Sequence, residues 1–441
     1  MDFGELIIRF LGLQDVEIED VKLFERDLRC EVTVRQKRDR GYCSKCGEIF
    51  SHIKEWDLKI LRAPPMGIYQ FVRLKFFQLR GFCMHCKKSE VNPALFIHSR
   101  FNSITCGLFE VAGRLMEETT CEAASRLLNL NSKLMWQIDQ HRMEVMLQYL
   151  KLPDNLDVTH LSADEVHFRT HFQVDRVGLL AKRWTPQFVT NLVCVKESKV
   201  LWNAMGRDQM ALRSCLSVLS LHQLDQVKYF AVDLHEAFIG EAKRNCLNSK
   251  IVVDRFHLVQ NINKVFDEVR RLEFKRAKET NNQLAQNLLL PHRKFILMAR
   301  EKWLSKSEQK LLDRLRFENH RIHEALLLIE SFHVMLDKKT ISGFREALVD
   351  WYLLVRESKL KPFIRFAKTI RRYRKNIEAY ITSRLTTAVS EGINNKIKVL
   401  KRMAYNYSNP VSFLRKILQR CGYLNSQHIN THSFFFHSKP R

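Results

Sequence analysis

"LDVTHLSADEVHF", residues 156–168, and "QVKYFAVDLHEAF", residues 226–238, are the two stretches that decide the fold. Each holds a short apolar, β-branched run, and each run leads to an aspartate, Asp164 in the first and Asp233 in the second. Runs of this length and composition, bounded by polar residues, read as strands. Between them "QFVTNLVCV" (187–195) and "KVLWNAMG" (199–206) read as two further strands paired with each other, with a helix over 208–220. Downstream of Asp233 a helix runs through Ala242. "SKIVVDRFHLVQNINKVF" (249–266) then supplies another short buried strand ending at Asp254 and a helix carrying His257.

Three strands, a helix, then strand–helix twice is the order of a ribonuclease-H-like mixed sheet, in which the first and fourth strands are neighbours. Asp164 and Asp233 then face each other at one end of the sheet. Two carboxylates so placed repel unless cations sit between them, and Mg²⁺ (or Mn²⁺) is a hard ion suited to oxygen ligands. A third carboxylate from a later helix completes two metal positions about 3.5–4 Å apart, as two-metal phosphoryl transfer requires. "TTAVSEGINNKIKVLKRMAY" (386–405) supplies Glu391 in a first helical turn, where the dipole favours its ionised form. On that helix Val389, Ile393, Ile397 and Leu400 form an apolar stripe. Asn394, Asn395, Lys398 and Arg402 are expected on the other side with Glu391, toward metal and phosphate. Asp254 and His257 could support the metal site, cap the helix, or hold an aspartate's orientation.

Four of the eleven cysteines form two C-x-x-C pairs, Cys43 with Cys46 and Cys83 with Cys86, 36 residues apart. Two such knuckles close a tetrahedral thiolate site for structural Zn²⁺, although His85 or His52 could replace one ligand. "YQFVRLKFFQLRGF" reads as a strand entering the second knuckle. The single cysteines, Cys30, Cys106, Cys121, Cys194, Cys215, Cys246 and Cys421, read as buried reduced thiols. After this head the period turns helical. Thr119 with Glu122 fits a capping box, and Asn131 or Ser132 caps a second helix that shows Lys133, Gln137 and Gln140 to solvent. A short helix, a turn and such a recognition helix is the geometry of a helix-turn-helix.

A chain of 441 residues with 45% apolar content predicts two to four domains. Its formal charge of +25 points to a polyanionic partner, most simply nucleic acid. No apolar run approaches the ~18 residues of a membrane span, and "MDFGELIIRFLGL" has no basic leader, so a cytoplasmic protein without membrane association is expected.

With these residues assembled, the chain resembles the DDE transposases of bacterial insertion sequences, in particular the ISL-three family. The family's "DE" strand end matches Asp164–Glu165, and its second acidic signature matches "VDLHEAF" at Asp233. Its "IVxDRFHxxxxxN" matches "IVVDRFHLVQNIN" from Ile251, and "EGxNNxIKxxKRxAY" matches residues 391–405. The chain departs from the family at His235, where tryptophan is usual, at Asn406 in "AYNY" for "AYGY", and in the lengthened "RTHFQVDRVGLLAKRWTP".

The resemblance implies a multidomain α+β chain. A zinc-binding domain covers 1–100, a helix-turn-helix 101–153, and a ribonuclease-H-like α/β core begins over 154–270. A large all-helical insertion follows at 271–379, the closing helix with Glu391 at 380–425, and a tail at 426–441. Trp303 and Trp351 are expected packing anchors of the insertion. Its late run "KPFIRFAKTIRRYRKNIEAY", with Arg371, Arg372 and Arg374, is a candidate DNA-tracking surface. The implied activity is Mg²⁺-dependent cleavage and strand transfer at terminal inverted repeats, with Asp164, Asp233 and Glu391 catalytic. The implied partners are double-stranded DNA, both element ends and target, in a homodimer or larger synaptic assembly in the bacterial nucleoid. The contrasting expectation is a non-enzymatic, sequence-specific DNA-binding regulator.

Overall fold

The alternation in "FVRLKFFQLRGFC" builds the longest strand of the N-terminal sheet, because apolar residues two apart share one face. The computed structural model describes residues 3–37, 41–173, 183–290, 305–385 and 387–429. These form two units, residues 1–153 with 399–441 and residues 154–398.

In the first unit, helix α1 (Phe3–Leu11) precedes strands β1 (Val16–Phe24), β2 (Arg29–Gln36), β3 (His52–Ala63), β4 (Phe71–Cys83) and β5 (Lys88–Val91). The sheet order is β1-β2-β4-β3, with β5 also on β4 and only β2–β4 parallel. One sheet face buries Val32, Val34, Leu61, Val72, Leu74 and Phe76 against Ile7, Leu11 and Phe96. Three helices follow, α2 (Cys106–Glu118), α3 (Cys121–Leu128) and α4 (Ser132–Gln148). Thr120, rather than Thr119, caps α3, its hydroxyl accepting from the Ala123 N–H at 3.1 Å, because Thr119 is the extended residue that ends α2. Asn129 turns the chain at φ 47° and Asn131 caps α4. Arg142, buried on α4, is held by Glu110 and Glu117 of α2. Of the single cysteines, only Cys121 is not buried.

The second unit opens with β6 (His160–Gln173), β7 (Arg183–Cys194) and β8 (Lys199–Met205). Helices α5 (Gln209–Leu216) and α6 (Leu221–Asp225), strand β9 (Tyr229–Val232), α7 (Glu236–Asn245) and β10 (Lys250–Val253) follow. The order is β10-β9-β6-β7-β8, so the first and fourth strands are neighbours, as the sequence predicts. β9 and β10 are all but continuously apolar and pair in parallel, as strands covered on both faces do. Buried Glu241 of α7 clamps α5 through Arg213 at 2.6 Å, which with Arg244 holds its carboxyl down at about 2.

Helix α8 (Arg255–Glu279) passes unbroken through the expected boundary at 270, and α9 (Gln283–Leu288) follows it. Beyond lie α10 (Lys306–Glu318), α11 (His320–Asp337), α12 (Ile341–Ser358), α13 (Lys361–Arg372) and α14 (Arg374–Ser383), the last spanning the expected boundary at 379. Trp351 is a buried anchor whose Nε1 donates to the Leu328 carbonyl at 2.9 Å. Trp303, residues 174–182 of the lengthened segment, and tail residues 430–441 lie outside the described residues. Helix α15 (Ala388–Met403) carries Glu391, and α16 (Pro410–Cys421) closes the first unit.

Candidate active site

β6 and β9 pair in parallel from His160↔Tyr229 to Ser162↔Ala231, and two residues past the last pair lie Asp164, still within β6, and Asp233, just beyond the end of β9. Asp164 Oδ1 accepts from the Glu165 N–H at 2.8 Å, and Asp233 Oδ1 from the Leu234 N–H at 2.5 Å. His257, on the first turn of α8, brings Nδ1 to 3.5 Å from Asp233 Oδ1. Burial pushes the Asp164 carboxyl up to about 6; His257 opposes this, and the charges of Glu165 and Asp233 add to it. A carboxylate in that condition favours a counter-cation.

Helix α15 reaches this corner through Asn394, which the sequence grouped with Glu391 and which lies on the helix's buried side. Asn394 is 6% exposed, lies on the buried stripe with Ser390, Ile393 and Ile397, and donates from Nδ2 to Asp164 Oδ2 at 2.7 Å. It meets the aspartate directly, because a buried amide needs a partner and the carboxylate is there. Asn395, Lys398 and Arg402 are exposed. Glu391 is exposed too. Among the described residues its carboxylate does not join Asp164 and Asp233 in a group of ligand atoms within 4.8 Å of one another.

Asp254 has a contact that the sequence did not suggest. It is 1% exposed and does not cap α8; its carboxylate receives the Thr387 hydroxyl at 2.5 Å and the Thr387 N–H at 3.4 Å. The Thr387 carbonyl in turn accepts from the Glu391 N–H at 2.7 Å, so Asp254 moors the start of the Glu391 helix. Sequence reasoning missed Thr387, and it missed Asn191, which pairs across the sheet with Asp164 and so shares its face. Among the described residues, both polar atoms of the fully buried Asn191 side chain and the hydroxyls of buried Ser162 and Ser390 have no partner. Hard oxygen ligands beside orphaned polar groups fit Mg²⁺, which keeps several waters when bound.

The four cysteines are brought together. Cys43 and Cys86 sulfurs lie 3.8 Å apart, Cys46 and Cys83 3.4 Å, and all four within 4.8 Å. A tetrahedron of Zn–S bonds of ~2.3 Å has an edge of about 3.8 Å, so the set fits zinc. Burial raises the Cys43 thiol, yet the N–H groups of Cys46 and Lys45 outweigh it and bring it to about 7. Cys86 is pushed up to about 12, chiefly by its hydrogen bond with Cys46. His52 stacks on Phe82 outside this group.

The candidate DNA-facing residues divide. Lys133 and Gln137 are exposed on α4, but Gln140 is half-buried and accepts from the Ser412 hydroxyl at 2.7 Å. Arg372 is paired with Glu236 and Arg374 with Glu378 at 3.4 Å, while Arg371 is exposed.

A two-unit α/β chain with this acidic corner and a four-cysteine head is the setting in which a transposase is expected, and the chain belongs to the ISL-three transposase family. Residues 178–417, more than half its length, match the family's profile, described as transposase. It is 22% identical over 375 residues to the transposase for insertion sequence element IS1001 of Bordetella parapertussis, covering 85% of this chain and 87% of that protein. It is 20% identical over 276 residues to the transposase for IS1557 of Mycobacterium tuberculosis, covering 58% of this chain and 59% of that one. Among solved structures, the Drosophila P element transposase strand transfer complex aligns at a TM-score of 0.35 and 13% identity, over 72% of this chain and 92% of that one. Among the described residues no helix is long and apolar enough to cross a membrane.

Proposed function

We propose that this protein is a DDE-type DNA transposase that binds the terminal inverted repeats of its own insertion sequence and carries out Mg²⁺-dependent strand cleavage and strand transfer. The observation that carries the reading is the meeting of Asp164 and Asp233 just past the last β6–β9 pair, where the charge of Asp233 acts on Asp164, itself pushed up to about 6 and bonded to the helix of Glu391. The core is ribonuclease-H-like, with 271–379 as its helical insertion, and α3–α4 is a helix-turn-helix that reads the ends together with the zinc-bearing head. Two joined ends call for a homodimer or larger assembly.

Asp164, Asp233 and Glu391 would hold two Mg²⁺ (or Mn²⁺) ions, which when bound activate water or a 3′-hydroxyl and neutralise charge on the leaving oxygen. Asn394 fixes the rotamer of Asp164 by occupying Oδ2. Asp254, through Thr387, sets where α15 begins and hence where Glu391 stands. His257 orients Asp233. Lys398 and Arg402, exposed on α15, offer cations to phosphate.

The test compares wild type with Glu391→Gln on supercoiled DNA carrying the flanks of its own gene, with and without Mg²⁺. Metal-dependent cleavage or joining by wild type alone, at equal DNA affinity, is the expected result. Equal binding and no chemistry from either would overturn the enzymatic reading and leave a DNA-binding regulator.

A further inference from the structure

The helical part of the first unit contains a cavity of about 440 Å³ between α2, α3 and α4 on one side and residues 400–420 on the other. That volume falls within the ~300–1,000 Å³ of small-ligand sites. Its floor is an ion pair: Asp139 is 2% and Lys416 8% exposed, with Nζ 3.0 Å from Oδ2. Lys416 also donates to the Met116 carbonyl at 2.8 Å, and Gln419 Nε2 donates to Asp139 Oδ1 at 3.1 Å.

A buried ion pair is a poor source of stability, since desolvating both charges offsets their attraction. This pair keeps bonding capacity in hand. An ammonium has three N–H bonds and a carboxylate about four acceptor sites, and the contacts above use only some of them. The Gln419 Oε1 behind the pair is buried with no partner among the described residues.

Three aromatic residues, Trp136, Tyr405 and Tyr407, are in the lining. Trp136 is 49% exposed and Tyr405 91%, large rings left open at the cavity. Tyr405 also sits at φ 49° and Asn406 at φ 82°, a left-handed pair that ends α15. A tyrosine in that region carries strain, which concentrates at ligand clamps and switches. Aromatic walls receive a flat π-system, and a floor of donors and acceptors reads its edge. In a chain of charge +25, the flat heterocycle delivered on a polyanion is a nucleobase.

We propose that this cavity receives a single nucleobase turned out of a DNA duplex at an unpaired position, which rests on the transposase reading above. The test titrates the full chain with two duplexes bearing the flanks of its own gene. One is fully matched, and the other carries one 2-aminopurine opposite an abasic site. The unpaired probe should bind roughly ten-fold more tightly, the gain of stacking one base on aromatic walls, and its fluorescence should change on binding. The affinity ratio should fall to about one in Trp136→Ala and recover in Trp136→Phe, and as a ratio it is insensitive to general effects on DNA binding. Equal affinities with no fluorescence change would overturn the base site while leaving the DNA-binding reading intact. Failure to bind either duplex would overturn both.

Discussion

At the residue scale the informative side chains are those whose polarity misleads. Asn394 looks like a groove-reading amide, yet it is buried against Asp164. Asn394→Ala should therefore lower single-turnover strand cleavage by about 10–100-fold, as loss of a ligand's supporting hydrogen bond does, with DNA affinity by anisotropy unchanged. Asp164 makes a second prediction. Its carboxyl is raised to about 6, so its contribution to stability is fully present below its ordinary value near 4 and is lost as pH rises through about 6. In metal-free protein Asp164→Asn should raise Tm by about 2–5 °C at pH 8 and leave it unchanged at pH 4. The family's "AYGY" glycine, here Asn406, is also explained. Its φ of 82° suits glycine first and asparagine next, so the departure keeps the turn.

At the scale of elements, much of the architecture was legible. Apolar runs ending in Asp164 and Asp233 are strands that the sheet order makes neighbours, and two C-x-x-C spacings suffice to find a thiolate cluster. What could not be read depends on contacts without local signal. Asp254 and Thr387 meet across 133 residues, and Gln140 and Ser412 across 272. Thr119 and Thr120 are chemically alike, and only the backbone says which one caps α3. Thr387→Val would leave the buried Asp254 carboxylate without its hydroxyl donor, a loss of about 2 kcal/mol. Calorimetry should show Tm lowered by about 4–8 °C, with Thr387→Ser close to wild type. For the four-cysteine knuckles, one zinc per chain is expected by atomic absorption. Cys83→Ser should lose it, and chelation should unfold the head without disturbing the sheet that carries Asp164.

For the whole molecule the excess of 73 basic over 48 acidic residues predicts a salt law. With roughly 6–10 phosphates contacted, log K against log salt should fall with a slope of about −5 to −9, and Lys398→Glu should reduce that slope by about one. Absence of any such slope would separate this chain from DNA altogether. Helix α8 has a further, mechanical meaning. Its 25 residues make a rod of about 37 Å, with His257 on the first turn and the far end among the helices of 271–379. It is braced along its length by Arg255–Asp337, Arg365–Glu268 and Asn319–Glu273. A rod of that length pivoting at its far end by only about 2° moves His257 by about 1 Å, enough to matter at a reacting centre. The bracing of this rod, at the Arg255 end included, therefore sets how closely His257 keeps its 3.5 Å separation from Asp233.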